Sequence, residues 1–174
     1  MSTTPKPHSG YSFFPARRVK PHALWIGSMK DSMDTQAAAR HGVGLVVNCT
    51  RDLPFVVPGV ARYRVPVDDH PDDARDMLLH LAPAVREIDK ALHRGDGVLV
   101  HCFAGVSRSA SVVAAYLMYR EGLTPLQAMQ RVREAKPETF APHANFAGAL
   151  EAFRDDTAVL SARGRRTGSG TTRA

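Results

Sequence analysis

Cys102 and Arg108 stand six residues apart in the run His101-Cys102-Phe103-Ala104-Gly105-Val106-Ser107-Arg108-Ser109. A cysteine thiolate is a nucleophile, and a guanidinium donates two parallel hydrogen bonds to phosphate oxygens. Three residues between them, Ala104, Gly105 and Ser107, are small enough for the backbone to curl, so that several N–H groups point inward. Residues 102–108, which we call the Cys102 loop, are therefore predicted to bind phosphate and to attack phosphorus through Cys102.

The flanking residues predict how the Cys102 loop is built. The run 98–100 is apolar and β-branched after a Gly-Asp-Gly turn, and residues 109–119 are apolar at helical spacing. The loop thus joins a strand end to a helix start, whose free amides and positive dipole favour an anion and the charged form of Cys102. A buried structural cysteine is one alternative. A zinc site is another, but no second Cys or His pair lies nearby at ligand spacing.

Expulsion of an alkoxide or phenolate from a phosphate ester requires a proton donor, and a carboxylic acid on a loop is suited to this. Composition alone offers four candidates in one acidic segment, which are Asp68, Asp69, Asp72 and Asp73. The residues leave the choice open, and a solvated acidic loop without a catalytic role is the other interpretation.

The run HCFAGVSRS resembles the HCxxGxxR signature of the cysteine-dependent protein tyrosine phosphatases, in the GxSRS form of their dual-specificity branch. The resemblance covers residues 22 to about 155, including segments 24–28 and 46–52, which are similar to strands of that branch. It implies an α/β fold with a central mixed, mostly parallel sheet flanked by helices. It also implies a protein phosphatase that hydrolyses phosphotyrosine and phosphoserine or phosphothreonine monoesters through a phosphocysteine intermediate.

The resemblance also assigns roles to individual residues. Alignment of residues 66–70 to the family's general-acid segment selects Asp69 as the acid that protonates the leaving oxygen and later acts as a base, with Asp68 as second choice. Ser109 hydrogen-bonds the departing sulfur, His101 orients the Cys102 loop, and Asn48 braces it from the neighbouring strand. The implied catalytic set is Cys102, Arg108, Asp69 and Ser109, and the implied substrate-binding set is Phe103, Ala104, Gly105, Val106, Ser107 and Arg108.

The chain departs from the family near its end. Where the family often has proline, asparagine, any residue, glycine and phenylalanine, this chain reads Pro142-His143-Ala144-Asn145-Phe146. Because the usual asparagine and glycine are missing, the resemblance does not predict hydrogen bonds that tie this turn to the Cys102 loop, whereas the expected reaction is unaffected.

Cys49 is the only other cysteine. Two cysteines in a chain of this length favour a reducing compartment over a disulfide-stapled secreted protein. A buried strand thiol is the simpler interpretation of Cys49, and a reversible Cys49–Cys102 disulfide under peroxide is the alternative.

Length and charge predict the domain organisation. A chain of 174 residues with 44% hydrophobic content buries one core. The net charge of +6 comes from two ends that hold eight basic and no acidic residues, so the body between them is slightly acidic. We predict a flexible basic segment at 1–20, a catalytic domain at 21–157 and a disordered basic tail at 158–174.

The same features limit substrates and partners. The variable positions of the Cys102 loop hold no lysine, so a polyphosphorylated ligand gains little there, and phosphoprotein substrates are favoured. The alternatives are the same chemistry on an RNA 5′ end, a phosphoinositide or a phosphoglycan, and a phosphate-binding pseudophosphatase. No metal, cofactor, specific nucleic acid or membrane span is expected, the location is expected to be cytoplasmic or nuclear, and the oligomeric state is left open.

Hydrophobic periodicity and capping residues predict the elements. Strands are expected at 24–27, 44–48, 61–66 and 98–100, and helices near 33–40, 74–93, 109–120, 124–135 and 144–155. Gly122 is expected to end one helix and Thr124 to cap the next. Phe146, Leu150 and Phe153 are expected to form one buried face.

Overall fold

The computed structural model describes the backbone of residues 12–14 and 24–166 and the side chains of residues 24–156. Strands and helices are interspersed along this part of the chain. In order they are β1 (Ser12–Phe14), β2 (Leu24–Gly27), α1 (Met29–Met33), α2 (Thr35–Arg40), β3 (Val43–Asn48), β4 (Ala61–Arg64), α3 (Ala74–Arg94), β5 (Gly97–His101), α4 (Arg108–Glu121), α5 (Pro125–Ala135) and α6 (Ala147–Arg166), with a short 3₁₀ turn at Pro71–Asp73.

The strands form one sheet in the order β1-β2-β5-β3-β4. Strands β2, β5, β3 and β4 run parallel to their neighbours, and β1 pairs antiparallel with β2. This topology confirms the predicted α/β class with a mixed, mostly parallel sheet. His101 at the end of β5 pairs with Gly27 of β2 and with Asn48 of β3, so three carboxyl ends meet at one edge. Ligands of open parallel sheets bind beyond such an edge.

Both faces of the sheet are covered. Successive residues of a strand point to opposite faces. One face of β5, with Val98 and Val100, packs with β2 and β3 residues against helices α3 to α6, whereas Leu99 on the other face packs with Trp25 and α2. Helix α4 is buried along almost its whole length. The residues that follow β5 therefore lie between a central strand and a buried helix.

No helix among residues 24–166 combines the length and apolar character of a bilayer span.

Local signals placed several boundaries correctly. Gly122 ends α4 with a left-handed φ of 68°. Thr124 and Gln127 form a capping box at the start of α5. Phe146, just before α6, is buried together with Leu150 and Phe153 of α6, as the spacing predicted.

Other boundaries differ from the prediction. The helix expected near 33–40 is two helices, because Asp34 ends α1 and its carboxylate accepts a hydrogen bond from the Ala37 amide at the start of α2. Strand β4 stops before Pro66, which lacks an N–H for the ladder. Helix α6 begins at Ala147, because residues 144–146 form a turn.

Two elements fall inside segments predicted to be flexible. Strand β1 lies within 1–20, and α6 extends into 158–174. The antiparallel pairing gives backbone partners to the otherwise open edge of β2, a gain that composition does not reveal. The remaining residues of both segments lie outside the described residues.

Candidate active site

The sulfur of Cys102 lies at the base of the turn that joins β5 to α4. The Gly105 N–H donates a hydrogen bond to Cys102 Sγ across 3.2 Å, and Ser109 Oγ lies 3.2 Å from the same sulfur. Cys102 is buried, with 1% of its surface exposed. Two polar groups therefore contact the Cys102 sulfur from the loop and from the start of α4.

Gly105 gives the Cys102 loop its curvature. Its φ is 73°, and a Cβ atom at this position would lie 2.7 Å from the carbonyl oxygen of Gly27. On the outside of the loop, the carbonyl of Phe103 accepts from Met29 N–H at 2.9 Å and that of Val106 from Phe140 N–H at 2.8 Å. Two carbonyl groups of the loop are thus bonded to neighbouring segments, while the Gly105 N–H points inward to Cys102 Sγ, which is the orientation that an anion nest requires.

Arg108 begins α4. Its Nη1 donates to the carbonyl of Val67 at 3.2 Å. Its Nε is buried and has no hydrogen-bond acceptor among the described residues. A buried unsatisfied donor costs about 1–3 kcal/mol, and more when it is charged, so a guanidinium in this state is suited to receive an oxyanion.

The substrate-binding residues predicted from the sequence all lie in this turn. Phe103 and Ala104 are exposed at its rim, whereas Gly105 and Ser107 are buried inside it. Of the Phe103 residue surface, 59% is exposed. An apolar aromatic ring is therefore exposed at the rim of the turn that holds Cys102.

Asp69 lies in the segment between β4 and α3, residues 65–73, which we call the acid loop. Ser107 Oγ donates to Asp69 Oδ1 at 2.6 Å, and Asn145 Nδ2 donates to the same oxygen at 2.9 Å and to the Asp69 carbonyl at 3.3 Å. These bonds bring the carboxyl group to the Cys102 loop. Since both side-chain donors use Oδ1, the other carboxyl oxygen is the one that can carry a proton.

The other three aspartates that the sequence offered have different partners. Asp68 Oδ2 and Asp73 Oδ2 accept hydrogen bonds from the Arg51 guanidinium at 2.9 and 2.8 Å. Asp72 is exposed beside His70, whose ring nitrogen lies 3.3 Å from its carboxylate. Of the four side chains, the structure brings that of Asp69 into hydrogen-bond contact with the Cys102 loop.

Asn145 is a site residue that the sequence reasoning missed. The sequence predicted no hydrogen bonds for the turn at residues 142–146, yet Asn145 in this turn donates to Asp69 of the acid loop. The preceding Phe140 amide donates to the Val106 carbonyl of the Cys102 loop. The asparagine stands two positions later than in the family pattern and still reaches the acid loop. Its place just before the buried Phe146 was the available signal, since burial of that ring fixes the turn.

His101 is buried at the end of β5. Its Nδ1 lies 3.4 Å from the Cys102 carbonyl, which is a weak contact consistent with a role in orienting the loop. Burial lowers the pKa of His101 to about 4. The ring is therefore neutral at physiological pH.

Asn48 braces a different segment from the one predicted. Its side chain donates to the Leu53 carbonyl at 2.8 Å and accepts from the Thr50 amide at 3.1 Å and from its hydroxyl at 2.7 Å. These bonds fix the turn after β3. The link from this strand to the Cys102 loop is a backbone one, from Cys49 N–H to the His101 carbonyl at 2.7 Å.

Cys49 is a buried free thiol, as is Cys102. Burial raises the pKa of Cys49, and the neighbouring charge of Cys102 raises it further. Cys49 directly follows β3, and this environment fits the simpler interpretation of a buried structural cysteine. A disulfide with Cys102 stays a prediction.

Comparison with known proteins places this arrangement in a family. The family model described as the dual specificity phosphatase catalytic domain matches residues 24–156. Dual specificity phosphatase 28 of Homo sapiens is 40% identical over 142 residues, which are 81% of this chain and 78% of that protein. Dual specificity protein phosphatase Mpk3 of Drosophila melanogaster is 36% identical over 138 residues, but the match spans 33% of that protein.

A solved structure extends the similarity to three dimensions. The crystal structure of a mouse protein complexed with zinc tungstate is similar with a TM-score of 0.76 and 34% sequence identity. The match covers 92% of this chain and 96% of the mouse chain. With the family model matching most of the chain, this chain belongs to the dual-specificity phosphatase family and is a protein phosphatase, a phosphoric monoester hydrolase.

Proposed function

We propose that this phosphatase transfers the phosphoryl group of a phosphoprotein to Cys102 Sγ and then releases it to water. The observation that carries the proposal is the single turn in which Gly105 N–H and Ser109 Oγ face that sulfur, with the Arg108 guanidinium at the start of α4. The thiolate attacks phosphorus, the P–S bond forms and the bond to the leaving oxygen breaks. Arg108 and the loop amides hold the remaining phosphate oxygens.

Asp69 supplies the proton for the leaving oxygen in this proposal. Ser107 and Asn145 hold its Oδ1, so Oδ2 is placed to donate. The resulting carboxylate then accepts a proton from water as water attacks the phosphocysteine and the P–S bond breaks. Ser109 Oγ donates its hydrogen bond to the sulfur as the thiolate leaves.

Phosphoprotein substrates carrying phosphotyrosine, phosphoserine or phosphothreonine are the substrate class that we propose. The Cys102 loop has no lysine and presents the exposed Phe103, so it offers one phosphate site with an apolar rim. The mouse protein in complex with zinc tungstate supports a tetrahedral oxyanion as ligand. No contact of the described residues favours an RNA end or a phosphoinositide.

The test compares substrates on one enzyme and its Cys102→Ser variant. We expect vanadate-sensitive hydrolysis of p-nitrophenyl phosphate and of phosphotyrosine and phosphothreonine peptides, with no turnover by the variant. A phosphoinositide or RNA triphosphate rate far above the best phosphopeptide rate would overturn the protein-substrate proposal. Turnover that survives the Cys102→Ser substitution would overturn the cysteine mechanism.

We also propose a cytoplasmic or nuclear location and a catalytic domain at residues 21–157. Both follow from the sequence, and the proposed domain contains the segment matched by the family model. Cell fractionation tests the location, and limited proteolysis that yields an active fragment with these ends tests the domain.

A further inference from the structure

The Arg51 guanidinium joins three aspartates of the acid loop and of α3. Its Nε donates to Asp68 Oδ2 at 2.9 Å and its Nη2 donates to Asp73 Oδ2 at 2.8 Å. Asp76 lies further away, with 3.8 Å between Nη2 and its carboxylate. Asp68 directly precedes Asp69 in the chain, yet the reaction proposed above does not use these contacts.

Asp73 receives a second hydrogen bond that closes the acid loop on itself. The backbone N–H of Asp68 donates to Asp73 Oδ2 at 2.7 Å, so one carboxylate oxygen holds both the guanidinium and the residue directly before Asp69. Asp73 is also the N-cap residue of α3, but its side chain caps no amide of that helix. The carboxylate is thus committed to the loop and not to the helix, where it is more often found.

Arg51 extends from a fixed turn. Arg64 donates to the carbonyls of Thr50 and Leu53 at 2.8 Å each, and Asn48 also binds both residues. Because the turn is fixed relative to β3, the Arg51 side chain that extends from it holds the acid loop at a defined position relative to β3. By the same contacts, the pKa of Arg51 is raised by Asp68 and Asp73, and that of Asp73 is lowered, first by the Asp68 N–H.

We propose that Arg51 and Asp73 are positioning residues that hold the acid loop with Asp69 over the phosphate site. Ser107 and Asn145 hold the Asp69 carboxyl from one side, and the Arg51–Asp73 pair holds the backbone of the preceding residue from the other. The effect is greatest for substrates whose leaving oxygen most needs a proton, which are phosphoserine and phosphothreonine rather than activated aryl phosphates. This inference rests on Asp69 as the general acid.

The test measures kcat/KM for aryl phosphates of graded leaving-group pKa and for a phosphothreonine peptide. Arg51→Met and Asp73→Asn are each expected to lower kcat/KM roughly tenfold on the poor leaving groups and to leave p-nitrophenyl phosphate nearly unchanged. Arg51→Lys is expected to fall between, because lysine lacks the planar fork that makes both bonds. Arg94→Met is the matched control, since Arg94 forms an exposed pair with Asp96 at the far end of α3.

A double-mutant cycle separates positioning from general destabilisation. In an Asp69→Asn background, Arg51→Met is expected to cause no further loss, because it acts through Asp69. A uniform loss on all substrates, or a full additional loss in that background, would overturn the proposal. If Asp69→Asn itself left the leaving-group dependence unchanged, the acid assignment would fail. If Asp69→Asn steepened it and Arg51→Met did not, the acid would stand and the positioning role would fail.

Discussion

Acidification is expected to destabilise this protein through one buried side chain, His101. The ring is fully buried beside Cys102, and burial lowers its pKa from an ordinary 6.5 to about 4. As the pH falls, His101 therefore becomes protonated near pH 6.5 in the unfolded chain, but only near pH 4 in the folded chain. His101 contributes stability that is fully present above pH 6.5 and is lost as the pH falls toward 4. One pKa unit corresponds to about 1.4 kcal/mol, so the loss is about 3 kcal/mol.

Urea unfolding at a series of pH values from about 7 to 4 measures this loss directly. Because carboxylates also titrate in this range, the informative quantity is the difference between the wild type and His101→Gln. The variant is expected to be less stable at pH 7 and to lose about 3 kcal/mol less on acidification. His143→Gln, at an exposed position, is the matched control and is expected to keep the wild-type pH dependence. Identical pH slopes for wild type and His101→Gln would refute the reasoning.

Three substitutions test the site geometry. Gly105→Ala is expected to lower kcat/KM roughly 100-fold, because the added Cβ would lie 2.7 Å from the Gly27 carbonyl oxygen. Gly59→Ala is the control, since Gly59 has a similar φ of 69° but open space around it, and this variant is expected to keep its activity. Equal losses of kcat/KM in the two variants would contradict the close-contact argument. Asp69→Asn is expected to lower turnover on poor leaving groups by roughly 10²- to 10⁴-fold while Asp68→Asn is mild, and the reverse order would move the acid to Asp68. Asn145→Ala is expected to cost roughly tenfold on the same substrates through loss of its bond to Asp69, and unchanged rates would remove it from the site.

The Cys102 loop could be predicted because its determinants are close together in the chain. A strand, a thiol, small residues with one glycine, an arginine and a helix follow one another within about twenty residues, and each acts on its neighbours. Gly105 has a positive φ within the curled backbone that the small residues predicted, and Ser109 lies beside the sulfur, as the family resemblance implied. The same holds for the helix ends at Gly122 and Thr124, where the capping residue is itself the signal.

The contacts that hold the acid loop could not be predicted in this way. Asn145 and Asp69 are 76 residues apart, Ser107 and Asp69 are 38 apart, and Arg51 and Asp73 are 22 apart. Such pairs form only after the sheet and helices bring distant turns together, and no periodicity or local motif encodes them.

For Asn48, the prediction gave too much weight to its place on the strand beside the Cys102 loop. The residue does lie on the strand next to β5, paired with His101. Its side chain nevertheless binds the turn that follows β3, because its amide N–H donates to the Leu53 carbonyl and its amide oxygen accepts from the Thr50 hydroxyl. Strand order gives neighbours in the sheet, whereas side-chain partners depend on the local turn.

The proposed mechanism requires that Cys102 Sγ become covalently bonded to phosphorus during each turnover. The most direct measurement is a single turnover with radiolabelled phosphopeptide, rapidly denatured and mapped by peptide mass spectrometry. A phosphoryl group is expected on the peptide that contains Cys102, and none is expected on the corresponding peptide of the Cys102→Ser variant. A label on any other residue, or full turnover with no labelled enzyme at any time, would contradict it.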